Sequence, residues 1–90
     1  MAVSFFVGCR SGEAKKSGNW FGCISLLHLN AWNQWSIDPF WVVDKNTYDV
    51  ITDGLSVGCA VALTLNTEFQ VTDLHVFDDV EPLPLPSPAD

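Results

Sequence analysis

Two lysines and two aromatic side chains share one seven-residue stretch near the start of the chain. Lys15 and Lys16 precede a Ser-Gly-Asn turn, and Trp20 and Phe21 follow it directly. Cationic side chains contact phosphates, and flat rings stack on bases. This combination predicts a site around the turn that can hold an unpaired polynucleotide.

The same half of the chain supplies the other candidates. Trp32 and Trp35 lie three residues apart in a polar stretch. They could stack on bases, contact a second subunit or cover one end of the fold, and the sequence leaves these three roles open. The candidate nucleic-acid-binding residues are Arg10, Lys15, Lys16, Trp20, Phe21, Trp32, Trp35 and Trp41.

Charge is distributed unevenly along the 90 residues, whose net charge is −7. Residues 1–37 carry three basic side chains and one acidic one, a net of +2, whereas residues 38–90 carry one lysine and ten acids, a net of −9. Such polarity could steer a polyanion to the basic half. From charge alone, the favoured interpretation is that the acidic half serves only to keep the protein in solution.

Neither catalysis nor metal binding is predicted. The chain has no Ser-His-Asp order, no cluster of paired carboxylates and no glycine-rich phosphate loop. His28 and His75 lack ligand-like spacing to Cys9, Cys23 or Cys59. We therefore expect a protein that is not an enzyme and has no cofactor and no bound metal.

The three cysteines lie in apolar segments without CxxC spacing, so we expect reduced, buried thiols. The chain begins without a basic and apolar leader, and no apolar run approaches the ~20 residues of a membrane span. These features predict a cytoplasmic protein without membrane contact.

Five β-strands and one short helix are predicted to position the candidate residues. Turn residues bound the strands, Asn30 to Ile37 reads as a loop, and the helix starts at a capping Asp, Asn or Thr and closes at Gly54. The predicted strands are 2–9, 20–29, 39–44, 55–65 and 69–77, and the predicted helix is 44–53.

The order of elements along the chain is β-β-β-α-β-β. A helix between the third and fourth strands is the order of a five-stranded OB barrel, whose strand-two and strand-three face binds oligonucleotides. We therefore predict an all-β fold with one short helix, an OB-like β-barrel over residues 1–77. An SH3-like barrel and a mixed sandwich are the alternatives.

Residues 78–90 hold four of the five prolines and four of the eleven acids. Such a segment favours polyproline II or disorder, so we expect an acidic tail that stays outside the sheet. The tail either keeps the protein soluble, or competes with nucleic acid and recruits another protein.

Several segments between Val7 and Phe77 follow one family's pattern, with a lysine-rich turn between strands one and two and a Leu-x-x-Gly before strand four. They are Lys15–Phe21, Leu27-His28, Val42-Val43-Asp44, Tyr48, Ile51, Leu55-Ser56-Val57-Gly58 and Val71-Thr72-Asp73-Leu74. With these segments the chain resembles small single-stranded DNA-binding proteins of bacteriophages and mobile elements, including the filamentous-phage helix-destabilising type.

The resemblance implies an OB fold that binds single-stranded DNA without strong sequence specificity during phage or mobile-element replication. It further implies action in the host cytoplasm, with a replication protein as a partner of the acidic tail. We also expect a homodimer, because one small barrel offers too short a binding site. Successive strand residues face opposite sides, so Trp20 and Phe21 cannot both stack on bases. Composition favours Trp20, but the resemblance favours Phe21 by a narrow margin.

Two other classes of function remain open. The first is an acidic protein-interaction module, such as an inhibitor of a host nucleic-acid enzyme that presents carboxylates in place of phosphates. The second is a structural virion or assembly protein, which would self-associate without nucleic acid.

Overall fold

The chain forms one five-stranded antiparallel sheet with a short helix, and a computed structural model describes its residues 3–83. The mostly-β prediction with one short helix is therefore confirmed. The elements are β1 (Ser4–Glu13), β2 (Trp20–Leu29), β3 (Trp35–Trp41), α1 (Lys45–Thr52), β4 (Ala60–Leu65) and β5 (Val71–Val76).

The strands lie in the order β3-β2-β1-β4-β5, which differs from their order along the chain. The predicted OB-like barrel is not confirmed, because the sheet does not close. Within residues 3–83 its two edge strands approach at a single parallel bridge between Val42 and Val71, where the Val43 N–H donates to the Val71 carbonyl at 3.0 Å.

Both edges of the open sheet are blocked against further pairing. The Val42 N–H donates to the Gly22 carbonyl of β2, so the backbone of Val42 faces β2. Backbone groups alternate in direction along β3, and the nitrogen of Pro39 therefore points to the free edge. Proline has no N–H, so this position cannot donate a hydrogen bond to another strand. On β5 the Asp73 carboxylate accepts the N–H of Leu74 at 2.9 Å. These two devices limit extension of the bridge into a closed barrel.

Three predicted strands have boundaries that are wrong by three or more residues, and one of them, β3, also ends at Trp41 instead of Asp44. β1 extends to Glu13 instead of ending at Cys9, because the β1–β2 ladder continues until Glu13 pairs with Trp20. β3 begins at Trp35, within the stretch predicted as a loop. Its inward positions include polar residues, which obscure the strand pattern in the sequence.

β4 begins at Ala60 instead of Leu55, because residues 55–59 form turns. Gly58 adopts φ +93°, and a side chain there would collide with the Leu83 carbonyl. Its N–H donates to Phe6 at 2.7 Å and its carbonyl accepts from Leu83 at 2.9 Å. The described part of the predicted tail, residues 78–83, thus returns to the sheet, and residues 84–90 lie outside the described residues.

The helix begins at Lys45 because Asp44 caps it, accepting the Thr47 N–H at 2.8 Å. This hydrogen bond lowers the pKa of Asp44 below its usual value. The helix packs Ile51 and Tyr48 against the core. No helix within residues 3–83 is long and apolar enough to span a membrane.

The core lies between the inner side of the sheet and α1. Ile24, Leu26, Val61 and Val71 are fully buried, and Phe6 and Ile51 complete the centre. Trp20 lies at the helix end of this core, with its ring 5.7 Å from that of Tyr48. Gly22 leaves room for both rings.

A hydrogen-bonded pair joins β2 to β3 on the inner side. His28 Nε2 lies 2.6 Å from Asp38 Oδ2, and the Ser36 hydroxyl donates to the same oxygen at 2.9 Å. The His28 contact, followed by that of Ser36, lowers the pKa of Asp38. This network satisfies the polar residues that obscure β3 in the sequence.

Gly22→Ala should destabilise the fold. The added Cβ would lie 2.5 Å from the Trp20 ring and 2.9 Å from Tyr48, and such overpacking costs about 1–3 kcal/mol. Urea unfolding measures the loss. The control is Gly8→Ala, whose Cβ meets nothing within 4 Å and should leave the free energy of unfolding within about 1 kcal/mol of the parent. Equal losses in the two variants would contradict the crowding at Gly22.

Asp38→Asn should lower the melting temperature by a few degrees near neutral pH, and the deficit should vanish in acid. The folded pKa of Asp38 lies below that of the unfolded chain, so its carboxylate stabilises the fold above about pH 4 and loses this effect as pH falls through the folded value. Thermal unfolding across pH 2–7 measures the difference. Asp49→Asn, which breaks only an exposed pair with Lys45, is the control and should show a smaller deficit.

Candidate nucleic-acid interface

The side of β1, β2 and β3 that faces away from the core is largely apolar, and we call it the outer face. Cys23 pairs with Arg10 on one side and with Trp41 on the other, which aligns the three strands. The outer face comprises Phe5, Gly8, Arg10, Gly12, Phe21, Cys23, Ser25, Leu27, Leu29, Trp35, Ile37, Pro39 and Trp41.

The outer face exposes large apolar side chains in unusual number. Trp35 is 55% exposed, Ile37 60% and Trp41 54%. Isolated exposed hydrophobics are common on proteins, but a contiguous apolar surface marks a binding site. The outer face is therefore the candidate functional site.

One end of the outer face forms an aromatic groove of about 480 Å³. The Phe21 and Trp41 rings form its walls, with centroids 6.4 Å apart and planes inclined at 75°. The Arg10 guanidinium lies 5.8 Å from the centre of the Phe21 ring, within cation–π distance. Gly12 makes room for this ring, since a Cβ there would lie 3.2 Å from it.

The other end of the outer face carries a second aromatic pair. Trp35 packs against Phe5 with ring centroids 6.2 Å apart. Trp41 follows Trp35 by six positions along β3, which corresponds to about 20 Å. Aromatic rings thus stand at both ends of an apolar strip.

The lysines lie at the tip of the β1–β2 hairpin, beyond the groove. Lys15 and Lys16 are exposed, and the turn closes with Gly18 at φ +71°. The Gly12–Phe21 pair is the second-last pair of the β1–β2 ladder before the turn. The hairpin tip therefore adjoins the end of the groove that Phe21 forms. The structure therefore places Arg10 and Trp41 beside the Phe21 ring and the two lysines at the adjoining turn.

Charge on the outer face is limited to one residue. Of the thirteen outer-face positions, Arg10 alone is ionisable apart from the Cys23 thiol. Asp38 of β3 points inward, where it pairs with His28. Because side chains alternate between the two sides of a strand, Asp38 faces away from the aromatic groove.

Trp20 and Trp32 do not lie on the outer face. Trp20 is half-buried on the inner side, against Tyr48, whose pKa is raised chiefly by burial of its hydroxyl. Trp32 is 80% exposed, but it belongs to the turn between β2 and β3. Of the two adjacent aromatics after the lysines, Phe21 is the one on the outer face.

The sequence analysis missed Phe69, which is 79% exposed in the turn between β4 and β5. Its backbone has φ +62°, a left-handed conformation that a bulky residue rarely adopts. Phe69 precedes Val71 by two residues, and Val71 bridges to Val42 directly after β3. The backbone of Phe69 therefore lies two residues from the point where the chain meets the residue that follows β3.

A repeated turn pattern is the signal that could have found Phe69. Asn30 donates its N–H to the Gln34 carbonyl at 2.8 Å, and Asn66 donates to Gln70 at 2.9 Å. In both turns the Asn side-chain oxygen accepts the N–H groups two and four residues later. The left-handed position holds Asn33 in the first turn and Phe69 in the second.

The described residues add no metal-binding cluster to this site. Residues 3–83 contain no cluster of three or more His, Cys, Asp or Glu side chains that could hold a metal ion. The three cysteines in this part of the chain are free thiols, and Cys9 is exposed rather than buried as expected. Comparison of the chain with protein families, with curated proteins and with solved structures found no match.

Proposed function

We propose that the protein binds single-stranded DNA along the outer face, without strong sequence specificity, in the replication of a phage or mobile element. The observation that carries the proposal is the aromatic groove, where Phe21 and Trp41 stand 6.4 Å apart beside Arg10 in a region free of acids. Unpaired bases offer flat apolar faces, and their phosphates offer negative charge.

Stacking supplies most of the proposed affinity. Each base stacked on an aromatic ring contributes about 1–3 kcal/mol, largely regardless of sequence. Trp41 and Phe21 hold bases at one end of the outer face, and Trp35 extends the path by about 20 Å. Arg10, Lys15 and Lys16 contact the phosphates.

An OB-like arrangement is part of the proposal. The OB fold is a partly open five-stranded barrel that binds through strands two and three and through the turns after strands one and four. The Val42–Val71 bridge and the placement of the outer face on β2 and β3 support this arrangement. Phe69 then flanks the binding path from the β4–β5 turn.

A homodimer, a replication protein bound to the acidic tail, and action in the host cytoplasm also belong to the proposal. A second copy would double a binding path that spans only about 20 Å on one molecule. The tail acids Asp78, Asp79 and Glu81 follow β5 and supply a charged contact for such a partner.

A protein-interaction module is the second candidate function. The outer face also carries aliphatic side chains, with Ile37 60% and Leu29 36% exposed. Aliphatic surface offers no ring for stacking, and it suits a protein partner, as in an inhibitor of a nucleic-acid enzyme.

Trp41→Ala and Phe21→Ala should each weaken binding of oligo-dT by roughly 5- to 150-fold, because each removes one stacked base worth about 1–3 kcal/mol. Fluorescence anisotropy of a labelled oligonucleotide measures the change. Val50→Ala, which trims an exposed apolar side chain of α1, is the control and should leave affinity unchanged. Absence of oligo-dT binding by the parent protein at low salt would overturn the proposal and favour the protein-interaction module.

Replacing Lys15 and Lys16 together by Gln should weaken binding and flatten its salt dependence. Loss of each phosphate contact reduces the slope of log affinity against log salt by about 0.7. Titrations at several salt concentrations give the slopes. Lys45→Gln makes a charge change on α1, away from the outer face, and should preserve the parent slope. Unchanged slopes in the double variant would remove the hairpin tip from the site.

A further inference from the structure

One edge of the β1–β2 hairpin is unpaired among the described residues. β4 pairs with β1 at Ser4 and Phe5, and this contact ends where Phe6 exchanges hydrogen bonds with Cys59 and Gly58. Beyond Phe6, the described part of the chain places a strand on one side of β1 only, and that strand is β2. The hairpin therefore presents an open strand edge.

The β1–β2 ladder shows which backbone groups point to the open side. The Ala14 N–H donates to the Asn19 carbonyl at 2.9 Å, so the backbone of Ala14 faces β2. Backbone groups alternate in direction along a strand, so those of Gly12 and Arg10 also face β2. The residues between them point their N–H and C=O groups to the open side. These exposed residues, which we call the arm edge, are Cys9, Ser11 and Glu13.

The arm edge lacks the protection that the other free edges of the sheet have. Pro39 removes a donor from the edge of β3, and the Asp73 carboxylate occupies the Leu74 N–H on β5. The arm edge contains no proline, and no side chain within residues 3–83 accepts a hydrogen bond from its N–H groups. An unprotected edge is a template for pairing with another chain.

A second copy of the chain fits the arm edge in one two-fold symmetric register. Centring the pairing on Arg10 or Glu13 would place like charges directly opposite each other, which destabilises a sheet. A centre at Cys9 or Gly12 would pair arm-edge residues with positions outside the arm edge. A centre at Ser11 pairs Ser11 with its counterpart and Cys9 with Glu13, so every arm-edge residue exchanges hydrogen bonds.

The Ser11-centred register also fits the side chains of the outer face. Arg10 of each copy lies opposite Gly12 of the other, where no side chain obstructs it. The Phe21 ring covers Gly12, since a Cβ at Gly12 would lie 3.2 Å from that ring. Arg10 of one copy therefore comes beside the Phe21 ring of the other, and an aromatic ring attracts a guanidinium.

The lysine tip of each hairpin extends past the paired strands. In the Ser11-centred register, Lys15 and Lys16 of one copy reach the level of Val7 and Phe6 of the other. The open edge ends at Phe6, where Gly58 and Cys59 bond to it. Each tip therefore meets the segments of the other copy that cover Phe6.

These segments are acidic, and their charge favours a second copy as the occupant of the edge. Gly58 donates to Phe6 and accepts the Leu83 N–H at 2.9 Å, so residues 78–83 end beside them. The carboxylates of this region are Asp53 and Asp78, which line one cavity with Cys59, together with Asp79 and Glu81. The lysine tips thus reduce the repulsion between two chains that each carry a net charge of −7.

We propose that two copies of the chain dimerise by pairing their arm edges antiparallel about Ser11. This inference rests on the proposed function, in which a homodimer lengthens the binding path. The joined sheet has the strand order β3-β2-β1-β1-β2-β3, and the two outer faces lie on the same side of it. Three strand spacings separate the two β2 strands, about 14 Å, so the two aromatic grooves form one continuous surface.

Sedimentation equilibrium of the full chain without nucleic acid tests the proposal, and the parent protein should form dimers. Ser11→Pro should raise the dimer dissociation constant about tenfold or more, because both central N–H groups are lost. The fold should persist, since this N–H points away from β2 and proline is tolerated at such an edge position. Ser11→Ala keeps the N–H and is the matched control, which should dimerise like the parent.

Charge reversal gives a second test that leaves the backbone unchanged. One chain carries Lys15→Glu with Lys16→Glu, and another carries Asp78→Lys with Glu81→Lys. Each chain alone should self-associate more weakly than the parent, because like charges then meet at both ends of the interface. A mixture of the two should associate more tightly than either alone, because every tip then meets opposite charge.

A parent chain that stays monomeric would overturn the proposal. Equal dimerisation of the parent and Ser11→Pro would also overturn it, because another surface would then join the copies. A mixture no tighter than its components would contradict the assigned register. Titration with oligo-dT keeps the two proposals apart: a dimeric parent without affinity for oligo-dT contradicts the proposed function alone, and a monomeric parent that binds it contradicts the dimer alone.

Discussion

Every second side chain of β2 enters the core while its neighbours face outward, and this alternation positions both the core and the outer face. Ile24 and Leu26 are buried on one side, and Phe21 and Cys23 line the groove on the other. Because β2 pairs with both β1 and β3, a slip of one residue would exchange the two faces. Trp20 packed on Tyr48 opposes that slip, since it ties the first residue of β2 to α1.

Local signals were enough to predict much of the fold. Turn residues on either side delimit β2, and the capping Asp44 marks the start of α1. The start of β3 depends on a contact between strands, since Asp38 becomes a stable inward residue only when the His28 side chain reaches it diagonally from β2. The apolar residues before Ala60 resemble a strand, but contacts of Gly58 with distant segments hold them in turns.

The candidate site could be predicted only in part, because its contacts join residues that are distant in sequence. Period-two alternation requires Trp20 and Phe21 to face opposite sides, but the choice between them depends on Tyr48, which is distant in sequence. The contact of Phe21 with Trp41 likewise depends on the register between β2 and β3. Phe69 escaped notice because its distinctive feature is a left-handed backbone conformation, which composition does not show.

The two Asn-x-x-x-Gln turns show that this chain uses one connector twice with different residues at its left-handed position. Asn33 suits that conformation, whereas Phe69 opposes it by the bulk of its side chain. The second hairpin therefore has the less favourable residue at this position, although the more favourable one occurs elsewhere in the same molecule. The two loops can be exchanged for one another. Such an exchange would separate the effect of the left-handed residue on folding from the effect of an exposed ring at position 69.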